Sequence, residues 1–479
     1  MSAFLYGFFV AFHIAEASAN CMKFKHTEER EMNQKHSLTE GNILKSLLTF
    51  AIPVLFSLLL QALYGGADLL IVGRFADTVD VSGVATGSML LSTVTNIITG
   101  LSMGITIAVA EKIGLKKERD AGKAIGAGIW LFAVVSVVLT VLLVAGAPVL
   151  AGLLHAPQEA FAQTVRYIRI CGAGAVFIVS YNVLGAVFRG IGDSKTPLLT
   201  VVIACLINIA GDLLLVAGFH MGAAGAATAT VLAQAVSVII SMAMICRRTL
   251  PFAFQRGDIH FDRQLIGKEL KLGIPVGLQE FLVGASFLVI QTVVNSFGVT
   301  ASAGVGVAEK VCVFIMLVPS AYMQSMSAFV AQNMGAGNPK RADRALLCGV
   351  STAFCVGLIM CVLTFFHGDL MAALFSSDAV VIAAAHSYLK AYAIDCLLTS
   401  FLFCFIGYFN GREKTLFVML QGLIGAFGVR IPIVWLVSRI PGATLFQIGL
   451  GTPASSLVQV TLCLGMFFWM HRKKNIGTR

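Results

Sequence analysis

The stretch VAEKIG at residues 109–114 returns about 221 residues later as VAQNMG at residues 330–335. Two further pairs occur in the same order along the chain: AIPV at 51–54 with GIPV at 273–276, and FRG at 188–190 with FNG at 409–411. Collinear matches at a fixed offset are the mark of a repeated structural unit. The sequence therefore predicts an internal duplication, with equivalent elements in each half.

The composition indicates a membrane protein. Apolar residues make up 57% of the 479 residues and charged residues only 12%, about half the charged share of a soluble domain. Windows of roughly 20 apolar residues, the length that crosses a bilayer as a helix, fit about twelve times. We place the fourth window at 164–188. The predicted fold is an all-α polytopic membrane protein with twelve transmembrane helices.

The duplication divides these spans into two sets of six. An even number of spans brings both halves into the membrane from the same side, so a pseudo-two-fold axis along the membrane normal is expected to relate two six-helix bundles. Paired bundles of like topology are the usual basis of alternating access. A channel or a membrane enzyme does not need this duplication, which favours a transporter.

The basic residues predict the orientation. The net charge is +10, and most of the 34 Lys and Arg residues lie in the stretch 22–46, the even-numbered loops and the C-terminal tail. By the positive-inside rule both termini are then cytoplasmic, and the expected location is the plasma (cytoplasmic) membrane, which is the inner membrane of a two-membrane cell. Because the basic residues follow the topology and form no single patch, no nucleic-acid partner is expected.

Four segments follow from the hydropathy. They are an N-terminal extension at 1–40, a six-helix bundle at 41–248, a cytoplasmic linker at 249–271, and a second bundle with a basic tail at 272–479. The first 21 residues resemble a signal peptide in their apolar run and in Ala17-Ser18-Ala19, but they lack a basic start. We favour an over-extended start, with Met32 as the initiator.

Three polar residues of the first half fall inside apolar spans. Asp68 lies in the first span, and Asn208 and Asp212 lie four residues apart in the fifth, which places them on one helix face. Charges at bilayer depth are costly and normally face protein or a wet cavity, so these residues are functional candidates. Two carboxyls and an amide could bind either H⁺ or Na⁺. The alternative is that both carboxyls are hydrated at the outer interface and have no role.

The second half carries a mixed set of charges in its spans, namely Glu280, Glu309, Lys310, Asp395 and Arg430. One interpretation is that they neutralise one another and hold helices together. The other is a site for cationic drugs, in which Glu280 or Asp395 provides negative potential beside an adaptable apolar wall. That wall would consist of Met316, Tyr322, Met323 and Met326.

The sequence indicates no other cofactor. It has no GxxxxGK[ST] phosphate loop, so transport driven by ATP hydrolysis is not expected. Its 11 Cys form no CxxC pair. No zinc or disulfide framework is therefore predicted. An ion gradient suffices, since one charge crossing 100 mV supplies roughly 2.3 kcal/mol, enough for about a 50-fold substrate gradient.

Over about 40–475 the chain resembles the multidrug and toxic compound extrusion (MATE) family, and its prokaryotic DinF-like branch more than its NorM-like branch. The resemblance rests on four stretches taken together: IP at 52–53 with ADLLIVG at 67–73, FRGIGDSKTP at 188–197, residues 208–212, and QNMGAG at 332–337. Each stretch alone is weakly specific.

This resemblance implies a twelve-helix antiporter that exports mainly cationic amphiphiles, including drugs and toxins, in exchange for H⁺ or Na⁺, and so contributes to drug resistance. By motif position, Asp68, Asn208 and Asp212 match the family's cation-coupling residues in the N-terminal lobe. Glu280 and Asp395 each lie about a turn from the acidic positions of NorM-like members, so the roles of those positions are not transferred. We expect organic cations and the lipid bilayer as partners, and a monomer.

Three other functions are possible in principle. A lipid-linked oligosaccharide flippase of the same superfamily predicts a strongly cationic interior, whereas this sequence places two Asp in one half and mixed charges in the other. A membrane-embedded transferase would need clustered carboxylates such as DxxD, and no span contains them. A scaffold without transport leaves the intramembrane carboxyls unexplained.

Overall fold

The computed structural model describes residues 38–247 and 251–476, and no strand occurs within these ranges. Met32 and the signal-like segment lie outside the described residues. The helices of the first half are α1 (Ile43–Phe75), α2 (Thr78–Gly114), α3 (Glu118–Leu153), α4 (Phe161–Ala173), α5 (Ala175–Ile191), α6 (Lys195–Asp212) and α7 (Gly222–Arg247). Those of the second half are α8 (Arg263–Asn295), α9 (Val299–Ile315), α10 (Leu317–Gly335), α11 (Pro339–Ala373), α12 (Ala379–Gly411), α13 (Thr415–Leu423), α14 (Ile431–Ser438), α15 (Leu445–Gly449) and α16 (Gly451–Ile476).

The described ranges contain 11 helices that are long and apolar enough to cross a membrane, or up to 12 if one bent pair is a single span. The bent pair is Gln158–Ala173 with Ala175–Ile191, whose axes are bent by 55° relative to each other. The chain is a multi-pass membrane protein of the all-α class, and the prediction of twelve spans is confirmed when the pair counts as one.

The break in the bent pair falls at Gly174, inside the window predicted as an uninterrupted span at 164–188. A Cβ at Gly174 would collide with the side chain of Val231 on α7. Glycine therefore allows α7 to approach the backbone closely, and sharp bends in helices commonly fall at such residues. The hydropathy window missed the bend because a window average reports composition and not the direction of the helix axis.

One span in each half changes helical type along its length. A π-helical segment, Leu213–Gly218, directly follows α6, and a second, Ile424–Arg430, directly follows α13. The spans that contain them, Lys195–Gly218 and Thr415–Ser438, are both 24 residues long. π segments in proteins are found frequently at functional sites. The first segment directly follows Asp212 and the second ends at Arg430, two residues that the sequence analysis identified as candidates.

The described residues form two compact units. The first unit contains Ile52–Gly277 and Ala331–Gly337, together with residues 38–40. The second contains Gly41–Ala51, Leu278–Val330 and the described residues from Asn338 onward. Helices α1 and α8, which are equivalent under the duplication, are therefore each divided between the units.

The link between the halves is partly helical. Helix α8 begins at Arg263, inside the stretch 249–271 predicted as a linker. The carboxylate of Asp262 accepts hydrogen bonds from the backbone N–H groups of Gln264 and Leu265, at 2.9 and 3.0 Å, and so caps this end. The hydropathy window missed the first turns of α8 because they are polar.

Within the first unit, the end of α2 packs against Ala331–Gly337 through two glycines. A Cβ on Gly114 would collide with the carbonyl oxygen of Gln332, and a Cβ on Gly335 would collide with that of Glu111. The two contacts are equivalent under the duplication, because Gly335 and Glu111 are the counterparts of Gly114 and Gln332. The stretch that reveals the repeat in the sequence thus contacts its own copy reciprocally.

Candidate functional site

Helix α1 presents three polar side chains on one face. Gln61, Tyr64 and Asp68 follow one another at intervals of three and four residues, which brings them into one row along the helix. Asp68 is buried, with 6% of its surface exposed. The side chain predicted to carry function is thus held inside the first unit, away from bulk water.

Helix α6 contributes the other two predicted residues. Asn208 and Asp212 are 1% and 0% exposed and lie one helical turn apart. Asp212 is the last residue of α6, immediately before the π segment Leu213–Gly218. The alternative in which both carboxyls are hydrated at an interface is therefore wrong for the structure described.

The three predicted residues come together. The side chains of Asn208 and Asp212 lie beside the carboxyl of Asp68. The hydroxyl of Thr230, on α7, donates a hydrogen bond to Oδ2 of Asp68 at 3.3 Å and also faces the carbonyl oxygen of Ala226 at 3.0 Å. Sequence reasoning missed Thr230, because a single Thr in an apolar helix gives no signal of function.

Most polar atoms of this cluster have no hydrogen-bond partner among the described residues. They are Oδ1 of Asp68, both carboxyl oxygens of Asp212 and both amide atoms of Asn208. Buried polar groups in proteins are nearly always hydrogen-bonded. Two carboxylates this close would repel each other strongly, so a proton or a cation has to be shared between them. The chemistry that the arrangement supports is binding of H⁺ or of a small cation.

Further polar groups surround the cluster. Tyr64 lies against Gln234 of α7, whose Oε1 has no partner within the described part of the chain, and Tyr167 lies near Thr230 and Asp68. No group of three or more His, Cys, Asp or Glu that could hold a metal ion occurs in the described ranges. A cation here would therefore be bound by two carboxyls together with neutral oxygens, a donor set that suits Na⁺ better than zinc.

Arg189, in the last turn of α5, lies apart from the two carboxyls. Gln61 donates a hydrogen bond to the hydroxyl of Tyr181 at 3.4 Å, and Arg189 lies beside Tyr181. Neither Asp68 nor Asp212 forms a salt bridge among the described residues. Arg189 therefore does not neutralise the cluster, which keeps its capacity for a proton or cation.

In the second unit, three of the predicted charges gather. Asp395 is 2% exposed and lies near Arg430 and Ser456. Arg430, 6% exposed, donates a hydrogen bond to Oγ of Ser286 at 3.2 Å, and its guanidinium lies 4.5 Å from the ring centre of Phe287.

The third member of this group is Glu309. It is half-buried, its Oε1 has no partner among the described residues, and it shares Tyr388 as a neighbour with Arg430. Lys310 and Glu280 are exposed and do not belong to the group. Neutralisation of Asp395 by Arg430 and a cation site at Glu309 both fit this arrangement.

The predicted apolar wall is largely interior in the structure described. Tyr322 is 6% exposed and Met326 is fully buried, while Met316 and Met323 are half-buried. The methyl group of Met326 packs where a Cβ of Gly349 would lie. These residues therefore contribute to the packing of the second unit, and their part in drug binding stays a prediction.

Comparison with known proteins gives a consistent result. The family model described as MatE matches residues 53–214 and 275–436, one match in each half. The probable multidrug resistance protein YpnP of Bacillus subtilis is 28% identical over 417 residues, which cover 87% of this chain and 93% of that protein. The multidrug export protein MepA of Staphylococcus saprophyticus is 21% identical, over 90% of this chain and 94% of that protein.

Solved structures share the fold. An outward-facing multidrug resistance MATE family transporter of the MOP superfamily has a TM-score of 0.86 at 20% identity, over 94% of this chain and 100% of that one. A MATE structure in complex with MaL6 has a TM-score of 0.85 at 19% identity, with the same coverage. The predicted all-α, multi-pass fold is confirmed.

Proposed function

Since this chain belongs to the MATE family of multidrug efflux transporters, we propose that it is a secondary antiporter that exports amphiphilic, mainly cationic small molecules in exchange for H⁺ or Na⁺. It acts in the cytoplasmic membrane with both termini in the cytoplasm, as the distribution of basic residues predicts. The multidrug names of YpnP and MepA support the substrate class.

The single observation that carries the coupling proposal is the pair of buried carboxyls in the first unit. Asp68 and Asp212 lie side by side, and most of their oxygens have no donor among the described residues. Such a pair is stable only when it holds a proton or a cation. It therefore loads an ion from one side of the membrane and must release it before it can load again.

Both candidate ions fit the same oxygens. A proton needs only one of the two carboxyls. Na⁺ would be bound by both carboxyls, with the amide oxygen of Asn208 and the hydroxyl of Thr230 close enough to complete the site. Either ion, moving down a potential of 100 mV, supplies roughly 2.3 kcal/mol per charge.

Exchange requires that ion and substrate affect each other's affinity. We assign this linkage to α6 and its π segment, because Asp212 is the residue at which the helix changes from α to π. A change in the charge of Asp212 then acts directly at the junction of the α and π segments. Ion binding lowers the affinity for substrate through this element, and substrate binding lowers the affinity for the ion.

A cationic substrate is also favoured by the buried charges. In the described ranges the buried residues among Asp, Glu, Lys and Arg are Asp68, Asp212, Asp258, Glu269, Asp395 and Arg430. This interior is mainly acidic, whereas a carrier of lipid-linked oligosaccharides, whose diphosphate is anionic, would need basic groups. We expect Glu309 and Asp395 to provide the negative potential that a cationic drug meets in the second unit.

The test is efflux from proteoliposomes with pH and Na⁺ gradients imposed separately. The wild-type protein should move a fluorescent organic cation against its gradient with one of the two, up to about 50-fold per charge at 100 mV. Asp212→Asn should abolish gradient-driven efflux while the protein still inserts and folds. The matched control is Asp77→Asn, since Asp77 is exposed just before α2 and its side chain makes no capping bond. Full gradient-driven efflux by Asp212→Asn would refute the coupling proposal.

A further inference from the structure

Glu269 is a buried carboxyl that the proposed transport mechanism does not use. It lies on α8, in the stretch that the sequence predicts to be a cytoplasmic linker, yet its side chain is only 2% exposed. Its surroundings belong to the first unit, as does α8 as far as Gly277. It is not among the groups that surround Asp68 and Asp212.

The carboxyl is enclosed by apolar and small residues. Its Oε2 lies 3.5 Å from the place where a Cβ of Gly128 on α3 would be, and the side chain of Ile105 on α2 borders the same space. The backbone of Gly104 packs against the carbonyl oxygen of Glu269. These two glycines leave the room that the carboxyl and its backbone occupy. Both carboxyl oxygens are buried without a hydrogen-bond partner in the described part of the chain.

No charged group on the neighbouring helices forms a salt bridge with Glu269 in the described ranges. Lys268 forms a salt bridge with Glu111 of α2 at 2.5 Å, and Arg119 of α3 forms one with Asp258 at 2.6 Å. The other charged side chains near these helix ends are half-buried or exposed: Lys112, Glu118, Asp120, Lys123, Arg263 and Lys271. No described cation therefore neutralises Glu269.

An ionised carboxylate with no cation and no donor, in a space lined by apolar groups, costs several kcal/mol. Binding a proton removes that cost, because the carboxylic acid is neutral. We propose that Glu269 is a second proton-binding site of the first unit, separate from Asp68 and Asp212, which holds a proton in the conformation described and releases it to water when its surroundings become hydrated.

Release of the proton needs water at the carboxyl. Hydration of the space beside Gly128 would give the proton an acceptor, and it would leave as hydronium. The proposal goes beyond the antiport assignment and stands whether the ion at Asp68 is H⁺ or Na⁺.

Infrared spectroscopy of the purified full chain in lipid nanodiscs tests the proposal without any need for transport. At neutral pH the wild-type protein should show one more protonated-carboxyl carbonyl band than Glu269→Gln. The matched control is Glu118→Gln, because Glu118 is exposed in the first turn of the neighbouring helix α3, and its replacement should leave the protonated-acid signal unchanged. An unchanged protonated-acid signal in Glu269→Gln would overturn the proposal.

Thermal unfolding at several pH values gives a second readout. The folded state holds a proton that the unfolded chain releases at neutral pH, so the wild-type melting temperature should fall as the pH rises from about 6 to 9. Glu269→Gln and Glu269→Met, which cannot ionise, should lose this part of the pH dependence, whereas the exposed-site control Glu118→Gln should keep it. An equal pH dependence in all variants would overturn the proposal. Failure of both Glu269→Gln and Glu269→Met to fold would also overturn it, since an ionised group would then be required at this position.

Discussion

Replacing Thr230 by Val removes the one hydrogen bond that the described residues donate to Asp68, and it keeps the shape of the side chain. The bond is 3.3 Å long, and the same hydroxyl also faces the carbonyl oxygen of Ala226 at 3.0 Å. A hydroxyl has one proton, so Thr230 donates to the Asp68 carboxyl for part of the time only. The geometry is therefore at the weak end of the range for hydrogen bonds.

The magnitude follows from the charge of the acceptor. A hydrogen bond to a charged group contributes about 1.5–3 kcal/mol and one between neutral groups about 0.5–1.5 kcal/mol. For this long, shared bond we take a difference of about 1 kcal/mol between ionised and protonated Asp68, which is about fivefold in ion affinity. Thr230→Val thus disfavours the ionised carboxyl, and it also removes an oxygen that could bind Na⁺.

Thr230→Val is expected to change the affinity for the two candidate ions in opposite directions. If H⁺ is the coupling ion, protons bind more tightly in Thr230→Val, and the midpoint of transport against pH moves upward by about 0.7 unit. If Na⁺ is the coupling ion, the half-saturating Na⁺ concentration rises by about fivefold or more. The assay is efflux of a fluorescent organic cation from proteoliposomes, titrated with each ion while the other is held constant.

Thr228→Val is the matched control. Thr228 lies on the same helix and donates to the carbonyl oxygen of Ala224 at 2.7 Å, the same bond to the residue four positions earlier, but it is not among the neighbours of Asp68. Its replacement should leave both midpoints unchanged. The reasoning is refuted if Thr230→Val leaves both midpoints within twofold of the wild-type values, or if both variants shift them equally.

Three further predictions concern packing and charge, each measured as the thermal stability of the purified protein. Gly174→Ala should lower the free energy of unfolding by about 1–3 kcal/mol, because its Cβ collides with the side chain of Val231. Adding Val231→Ala should restore much of that loss. Full stability of Gly174→Ala would contradict the close approach. Asp80→Ala should cost about 1–2 kcal/mol, since this carboxylate accepts a backbone N–H in the first turn of α7 at 2.9 Å, while Asp80→Asn should cost less, and equal losses would contradict the cap. Arg430→Met should lower the free energy of unfolding by about 3–5 kcal/mol, because it leaves Asp395 without a neutralising charge. Adding Asp395→Asn to that variant should restore stability. No recovery would favour a substrate site over neutralisation.

The duplication made much of the fold predictable. The sequence alone identifies the two halves. Pro53 and Pro275 lie at equivalent places in α1 and α8, and the ends of α2 and α10 match. The break at Gly174 was not predictable, because it depends on the side chain of Val231, which is distant in sequence. Hydropathy reports how apolar a segment is, and it does not report which helix lies against it.

The candidate site was predictable in part for the same reason. Asp68 and Asp212 stand out because ionisable groups are rare in apolar spans. Thr228 and Thr230 look alike in the sequence, and only the placement of α7 shows which of them reaches the carboxyl. The burial of Glu269 was not predictable, because the residue lies in a charged stretch that the sequence predicts to be a linker. Its burial depends on Gly104 and Gly128, which lie on other helices.

The paired glycine contacts at Gly114 and Gly335 bear on the ancestry of the fold. In a symmetric homodimer, each subunit offers the same patch to the other and every contact occurs twice. The joint between residues 111–114 and 332–335 has this form within one chain. A half-length ancestor with this stretch would already have had a self-complementary surface on which two copies could dimerise. Gene duplication and fusion would then have joined the two copies in one chain without the need for a new interface.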